Sequence, residues 1–247
     1  MEKEKKSENG KKQERQNKIE AKQASKAEIN ERRRKTLYNV RRIALAVVIF
    51  FVVFLVLMIM KVLHKGPIMP VPEYRQLGND KAITEIYEYT DFACPACAMV
   101  NEKLHEILEK HGDKIKLNVK HYPLTMHIWS ERAALYADCA GEQGQFFPYI
   151  DMLFKNQEDW EDKEDEPEEF MLYAEKLKID KEKLQACLAN PANLERIMLE
   201  RAEGDSKGIE GTPAFIINGK YSIGPGGLFS EAERLDKIQA EKKADGQ

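Results

Sequence analysis

The sequence predicts an α/β domain carried behind a single transmembrane helix. Three observations predict it. The run Ile43–Met60 holds no charged residue, no proline and no glycine. Beyond it, strand-like and helix-like segments follow in the order β, α, β, a helical block, a β-hairpin and α. At the junction of the first of these strands and the helix after it stands Cys94-Pro95-Ala96-Cys97.

The 247 residues suffice for one globular domain plus extra segments. The net charge of -3 hides an asymmetry: residues 1–42 carry 15 Lys and Arg against 7 Glu, the remainder 24 against 35 acidic residues. At ~1.5 Å per residue the apolar run covers roughly 27 Å, close to the ~30 Å hydrocarbon core. Lys61 can snorkel and extend the span to Leu63, so residues 43–63 are expected to be a signal anchor touching membrane lipid. A cleaved signal peptide fits less well, because the basic start is long, the apolar run exceeds ~7–15 residues and no Ala-x-Ala follows. Arg32, Arg33, Arg34, Lys35, Arg41 and Arg42 flank one side, Lys61 and Lys65 the other. The positive-inside rule then puts the N-terminus in the cytoplasm and the C-terminal domain outside, where thiols meet an oxidising compartment. Residues 1–42, with few apolar side chains, are expected to be a largely disordered, solvated tail rather than a nucleic-acid site. The Pro-rich stretch Gly66–Pro72 makes residues 64–79 a stiff linker, and the folded domain is expected over residues 80–247.

Ile83–Tyr89 reads as the first strand. The helix after the cysteines carries an apolar stripe of Cys97, Val100, Leu104, Ile107 and Leu108, which buries Cys97 and leaves Cys94 at an exposed tip; Gly112 ends it. Lys114–Tyr122 alternates as a half-exposed strand, with Lys116, Asn118 and Lys120 facing away from the core. A helical insertion spans about 126–207, with Asp180 capping one of its helices and the acidic run Glu158–Glu169 as a solvated loop. Asn218-Gly219 between Ala214–Ile217 and Lys220–Ile223 is a strong hairpin signal. Ser230-x-x-Glu233 reads as a capping box opening the last helix.

Two thiols three residues apart at a helix start can open and close a disulfide. The free N–H groups there favour an anion, so Cys94 is the candidate nucleophile, and Pro95 suits a first turn that needs no N–H bond. Cys97, one turn on, can attack a mixed disulfide and release its partner. Stabilising the Cys94 thiolate stabilises the reduced form and makes the disulfide a better oxidant. Zinc needs four matched ligands, and the nearest candidates are His105 and His111. Cys97 and His105 lie roughly 12 Å apart along a helix, too far for one metal, so neither a metal nor another cofactor is expected. A copper carrier is a further alternative.

Glu88 to Cys97, the interposed helical block, Gly211-Thr212-Pro213-Ala214-Phe215, Asn218-Gly219-Lys220 and Cys139–Phe146 together resemble the DsbA-like branch of the thioredoxin superfamily. The resemblance covers most of residues 80–240. It implies a thioredoxin fold with a helical insertion, and a membrane-anchored thiol:disulfide oxidoreductase with a redox-active centre that forms disulfide bonds in exported, cysteine-containing proteins. Pro213 then matches the cis-proline beside the thiols, Thr212 offers backbone groups to an extended substrate, and Glu88 matches a buried acid that exchanges protons with the inner thiol. Strand alternation from Ile86 also points Glu88 inward. A DsbB-like or vitamin K epoxide reductase-like membrane protein would recycle the enzyme. The dipeptide departs from the Pro-His common in strong oxidants, which leaves a reductase, an isomerase or a non-catalytic binding or chaperone module open. Outside the cytoplasm the two remaining cysteines, Cys139 and Cys187, favour a structural disulfide over two buried free thiols.

Overall fold

The computed structural model describes residue 26 and residues 32–59, 67–78 and 80–244. It divides into two compact units, residues 1–65 and 66–247.

In the first unit, helix α1 (Arg32–Ile59) is long and apolar enough to cross a membrane. It begins within the basic segment expected to be disordered, so residues 32–42 are helical. Arg, Lys and Leu are good helix formers, and continuity with the apolar run spares them a separate nucleation step. The rest of the expected tail except residue 26, and residues 60–63 of the expected span, lie outside the described residues.

The second unit is built on a five-stranded sheet: β1 (Gln76–Leu77), β2 (Thr84–Thr90), β3 (Ile115–His121), β4 (Ala214–Ile217) and β5 (Lys220–Ile223), in the order β1-β3-β2-β4-β5. β2 and β3 run parallel, and every other pair is antiparallel. Helix α2 (Pro95–His111) makes the crossover between the parallel pair. Helices α3 (Ser130–Gly141), α4 (Phe146–Lys155), α5 (Glu169–Lys176), α6 (Lys181–Ala189) and α7 (Pro191–Lys207) are inserted before β4, and α8 (Gly226–Ala244) closes the chain. This is a thioredoxin fold with a helical insertion. Asp180 caps α6 by accepting from the Lys183 N–H at 3.0 Å, and Asn218 and Gly219 both take positive φ in the hairpin. Cys139 of α3 and Cys187 of α6 are joined by a disulfide, with Cα atoms 5.7 Å apart.

Four readings need correction. β3 is not half-exposed: Asn118 and Lys120 are buried with the apolar residues, because a parallel inner strand is covered on both faces. Lys120 is tolerated there because its ammonium donates to Glu203 at 2.9 Å and to the Met69 carbonyl at 2.7 Å. Ile83, read as the start of the first strand, precedes β2 and is exposed. Ser230 opens no helix. α8 already starts at Gly226, and the Ser230 hydroxyl donates back to the Gly226 carbonyl.

The fourth correction is the linker. Residues 67–77 belong to the domain: Val71 is buried, β1 pairs with β3, and Arg75 is fully enclosed. Arg75 forks onto Glu200 with two hydrogen bonds of 2.8 Å and pairs with Asp138 at 3.1 Å. Asp138 also meets His121 at 2.9 Å and Arg196 at 3.1 Å, and Glu200 accepts the His121 N–H at 2.9 Å. Burial pushes the Asp138 carboxyl up, but His121, Arg75 and Arg196 outweigh it and hold it down to about 2. Two residues of strand carry too little periodicity to be read in advance.

Truncating one partner of such a cluster leaves uncompensated charge in the interior. Arg75→Ala is expected to cost about 3–5 kcal/mol of stability. Urea unfolding followed by tryptophan fluorescence measures it. A loss below about 1 kcal/mol would mean that the cluster behaves like a surface ion pair.

Candidate functional site

β2 ends at Thr90, and α2 starts only five residues later. Cys94 occupies the N-cap with extended φ -88° and ψ 118°, and Pro95 takes the first helical position. The N–H groups of Cys97 and Ala98 both donate to the Cys94 carbonyl, at 3.0 and 3.2 Å. From the other side, the Thr212-Pro213 peptide, which is cis, brings the Thr212 carbonyl to 3.5 Å from the Cys94 Sγ. Cys94 is therefore only 7% exposed, not the open tip that the helix pattern suggests; the strand entering β4 covers it. Both sulfurs are free thiols, and Cys97 is fully buried.

The two thiols are electrostatically unequal. Hydrogen bonding from Cys97 pulls the Cys94 thiol down from 9.0 to about 5 against the opposing effect of burial. Thr212 and the backbone of Cys97 and Ala96 help. Burial, and then the neighbouring Cys94, push the Cys97 thiol well up. The Thr212 hydroxyl is buried without a hydrogen-bond partner of ordinary geometry, yet it stands near enough to both sulfurs to favour each thiolate. The site thus favours the anion at Cys94 and the thiol at Cys97.

Glu88 points inward from β2, opposite Val119 of β3 and Phe215 of β4, and is 4% exposed. Burial alone raises its carboxyl from 4.5 to about 7. It hydrogen-bonds neither sulfur.

Asp91 is the residue that sequence reasoning missed. It is buried, its carbonyl accepts the Cys94 N–H at 3.1 Å, and its carboxylate accepts the Ala93 N–H at 2.9 Å. The same carboxylate accepts from Leu124 N–H at 2.9 Å and from the Ser130 hydroxyl, and it meets His127 Nδ1 at 2.7 Å. Gln157 Nε2 adds a 2.6 Å bond to the Phe92 carbonyl. These bonds stitch the turn before Cys94 to the loop before α3 and to the segment after α4. The signal available was an Asp three residues before the first cysteine; its partners lie 33 to 39 residues away, beyond any local pattern.

The zinc alternative finds no support in the placement of its histidines. His105 meets Asp151 at 2.8 Å and His111 meets Asp236 at 2.6 Å. Among the described residues no cluster of three or more His, Cys, Asp or Glu could hold a metal ion.

A family model described as Thioredoxin matches residues 71–235. The chain belongs to the thioredoxin family. Among solved structures of that fold, it is similar to alpha-DsbA1 of Wolbachia pipientis, with TM-score 0.57 and 20% identity over 72% of this chain and 97% of that one. It is similar to BdbD of Bacillus subtilis, with TM-score 0.54 and 22% identity over 68% and 91%. It is also similar to DsbA2 of Pseudomonas aeruginosa, with TM-score 0.51 and 25% identity over 62% and 87%. A curated relative, the Na(+)/H(+) antiporter NhaA 3 of Salinispora tropica, is 32% identical over 60% of this chain. The chain spans about a fifth of that relative's length, 22%.

Two predictions follow from the charges of this thioredoxin-family site. Ultraviolet thiolate absorbance of the reduced protein is expected to titrate Cys94 near 5 and leave Cys97 protonated at neutral pH. Because the folded value is depressed, Cys94 stabilises the reduced fold fully above the unfolded 9.0, and this is lost as pH falls toward 5. An ordinary midpoint near 9.0 for Cys94 would refute the asymmetry. For Glu88 the sign is reversed: the raised carboxyl makes the fold lose stability as pH climbs from 4.5 to 7. Glu88→Gln is expected to be near neutral in acid and to stabilise by roughly 3 kcal/mol above about pH 8, by denaturant unfolding at both pH values. An equal effect at both pH values would show that Glu88 does not titrate in this range.

Proposed function

We propose that this chain is a membrane-anchored thiol:disulfide oxidoreductase that introduces disulfides into exported proteins. One observation carries the reading: a helix-capping thiol with a depressed pKa, backed by a buried thiol with a raised one, lies 3.5 Å from the Thr212 carbonyl. In the oxidised enzyme a client thiolate attacks the Cys94 sulfur. The Cys94–Cys97 bond breaks, and Cys97 leaves as a thiolate that takes a proton from Glu88. A second client thiolate then attacks its own mixed disulfide and releases Cys94, an easy leaving group because its anion is stabilised. The client disulfide gains the oxidation that the enzyme disulfide loses. The backbone beside Thr212-Pro213 docks the client in an extended form. Should the second client thiolate be slow, Cys97 attacks the mixed disulfide instead and frees the client.

The enzyme would be returned to its oxidised state by a DsbB-like or vitamin K epoxide reductase-like membrane protein. α1, with the arginines at its start, supports a single-pass anchor with a cytoplasmic N-terminus and an extracytoplasmic catalytic unit. The names of the solved neighbours support thiol-disulfide exchange as the reaction. The antiporter name of the longer relatives describes those proteins, and the chemistry argued here rests on the dithiol.

The direction of the reaction is tested by the reduction potential of the Cys94/Cys97 couple. A value near roughly -120 mV supports an oxidase, whereas one near roughly -270 mV would make the protein a reductase. Cys97→Ala in cells is expected to accumulate mixed disulfides between Cys94 and exported proteins, resolved on reducing against non-reducing gels. No trapped client would favour a binding module with an inert cysteine pair.

A further inference from the structure

Glu88 is buried, yet among the described residues no hydrogen bond or ion pair holds its carboxyl. A buried carboxyl without a partner is costly unless water reaches it. The structure provides the space. A narrow cavity of about 10 Å³, the size of one water molecule, lies against Glu88 beneath α2. Asn101 and His105 of α2 line it, together with apolar residues of β1, β3, α2 and α4. Asn101 and His105 also line a second space, a solvent-open groove between α2 and α4 of about 640 Å³. The wall between cavity and groove is thus these two side chains. Asp151 of α4 holds both, at 3.2 Å from Asn101 Nδ2 and 2.8 Å from His105 Nε2.

We infer that Glu88 exchanges its proton with solvent sideways, through the gap between Asn101 and His105, and that Asp151 is the positioning residue that keeps this gate polar. The inference rests on the proposed role of Glu88 in protonating Cys97 and adds the path by which Glu88 is recharged. Cys97 lies one turn before Asn101 on α2, and the path ends on the flank of the same helix. The Cys94 face, where the client docks, is not used. When the Cys94–Cys97 bond is reduced by a client dithiol, Cys97 departs with the electron pair and takes the Glu88 proton. Glu88 is left as a carboxylate in an apolar wall. A proton from solvent passes His105 or Asn101 and a water in the cavity, and restores the acid. Of the titratable groups facing the cavity, His105 stands at its mouth, with Asp151 behind it; the linings from β1, β3 and α4 carry none.

The test is stopped-flow reaction of the oxidised full chain with an aromatic monothiol that is already ionised at neutral pH, so that its attack on Cys94 frees Cys97 and takes up one proton while releasing none. Bond breaking is followed by intrinsic fluorescence, and proton uptake by a pH-indicator dye. In the wild type the two signals are expected to coincide. In Asn101→Leu/His105→Leu, proton uptake is expected to lag bond breaking by about 10-fold or more. Asp151→Asn is expected to give a smaller lag, and Asn101→Gln to restore wild-type behaviour. His105 is largely exposed, so His105→Leu alone provides a folded variant should the double substitution misfold. Glu88→Gln separates the two claims. If Glu88→Gln slows proton uptake while the Leu variants keep wild-type timing, the lateral path is overturned and the role of Glu88 stands. If Glu88→Gln takes up its proton unchanged, that role fails and the path with it.

Discussion

The chain leaves β2 at Thr90 and has four residues in which to become a helix. Everything at the site depends on how that short passage is held. Cys94 must sit at the N-cap for free backbone N–H groups to favour its anion, and Cys97 must fall one turn later for the two sulfurs to meet. Left to itself, a turn of this length would be mobile, because few of its bonds are local. Asp91 removes that freedom by accepting the Cys94 and Ala93 N–H groups from within and by meeting Leu124, His127 and Ser130 from outside. The geometry of Cys94 is therefore set by Asp91, whose carbonyl holds the Cys94 N–H and whose carboxylate ties the turn to distant loops. The helical insertion supplies the far ends of those bonds.

How much of this was legible in the sequence depends on the range of the interaction. The cysteine pair, the stripe of α2 and the Asn-Gly hairpin announce themselves within a few residues, and the family resemblance set their order in space. The inward direction of Glu88 followed from alternation with Ile86. Errors gathered where burial is decided by distant partners. Lys120 and Asn118 read as solvent-facing because polar residues usually are, yet Glu203 and the backbone of Met69 and Ile86 make their burial tolerable. Residues 67–77 read as spacer because Pro-rich composition says nothing about an arginine that Glu200, more than a hundred residues on, will enclose. Cys94 looked exposed because a helix tip is exposed until Thr212 arrives from the other end of the chain.

The same two-sided burial explains how the sheet divides its work. On one face of β2, Ile86 and Glu88 look toward α2 and α4, where the thiols and the water-sized cavity lie. On the other, the Tyr89 hydroxyl donates to Glu203, which also holds Lys120 and the Met69 N–H. Charge on this second face is paired and locks the N-terminal segment of the unit in place. On the first face it is left unpaired at Glu88, and an unpaired buried carboxyl is one whose proton can be exchanged. A residue with a partner there would be a better structural element and a poorer acid.

The Pro-Ala dipeptide sharpens the question of what makes Cys94 acidic. Neither residue brings a cation, and the groups that lower the thiol are Cys97, Thr212 and backbone N–H donors. The asymmetry of the sulfurs is thus a property of the thioredoxin architecture, in which a helix start faces the strand entry at Thr212-Pro213. Burial, and after it Asp162, push the Glu161 carboxyl up in the acidic segment after α4; His127 opposes them, and Glu158 and Cys94 add smaller pushes. Asp91, Gln157 and Trp129 pin together the loops around the site. The Cys94 thiolate itself touches Cys97, Thr212 and the backbone of Cys97 and Ala96, and the distant loops act on it only by holding the turn before it in place.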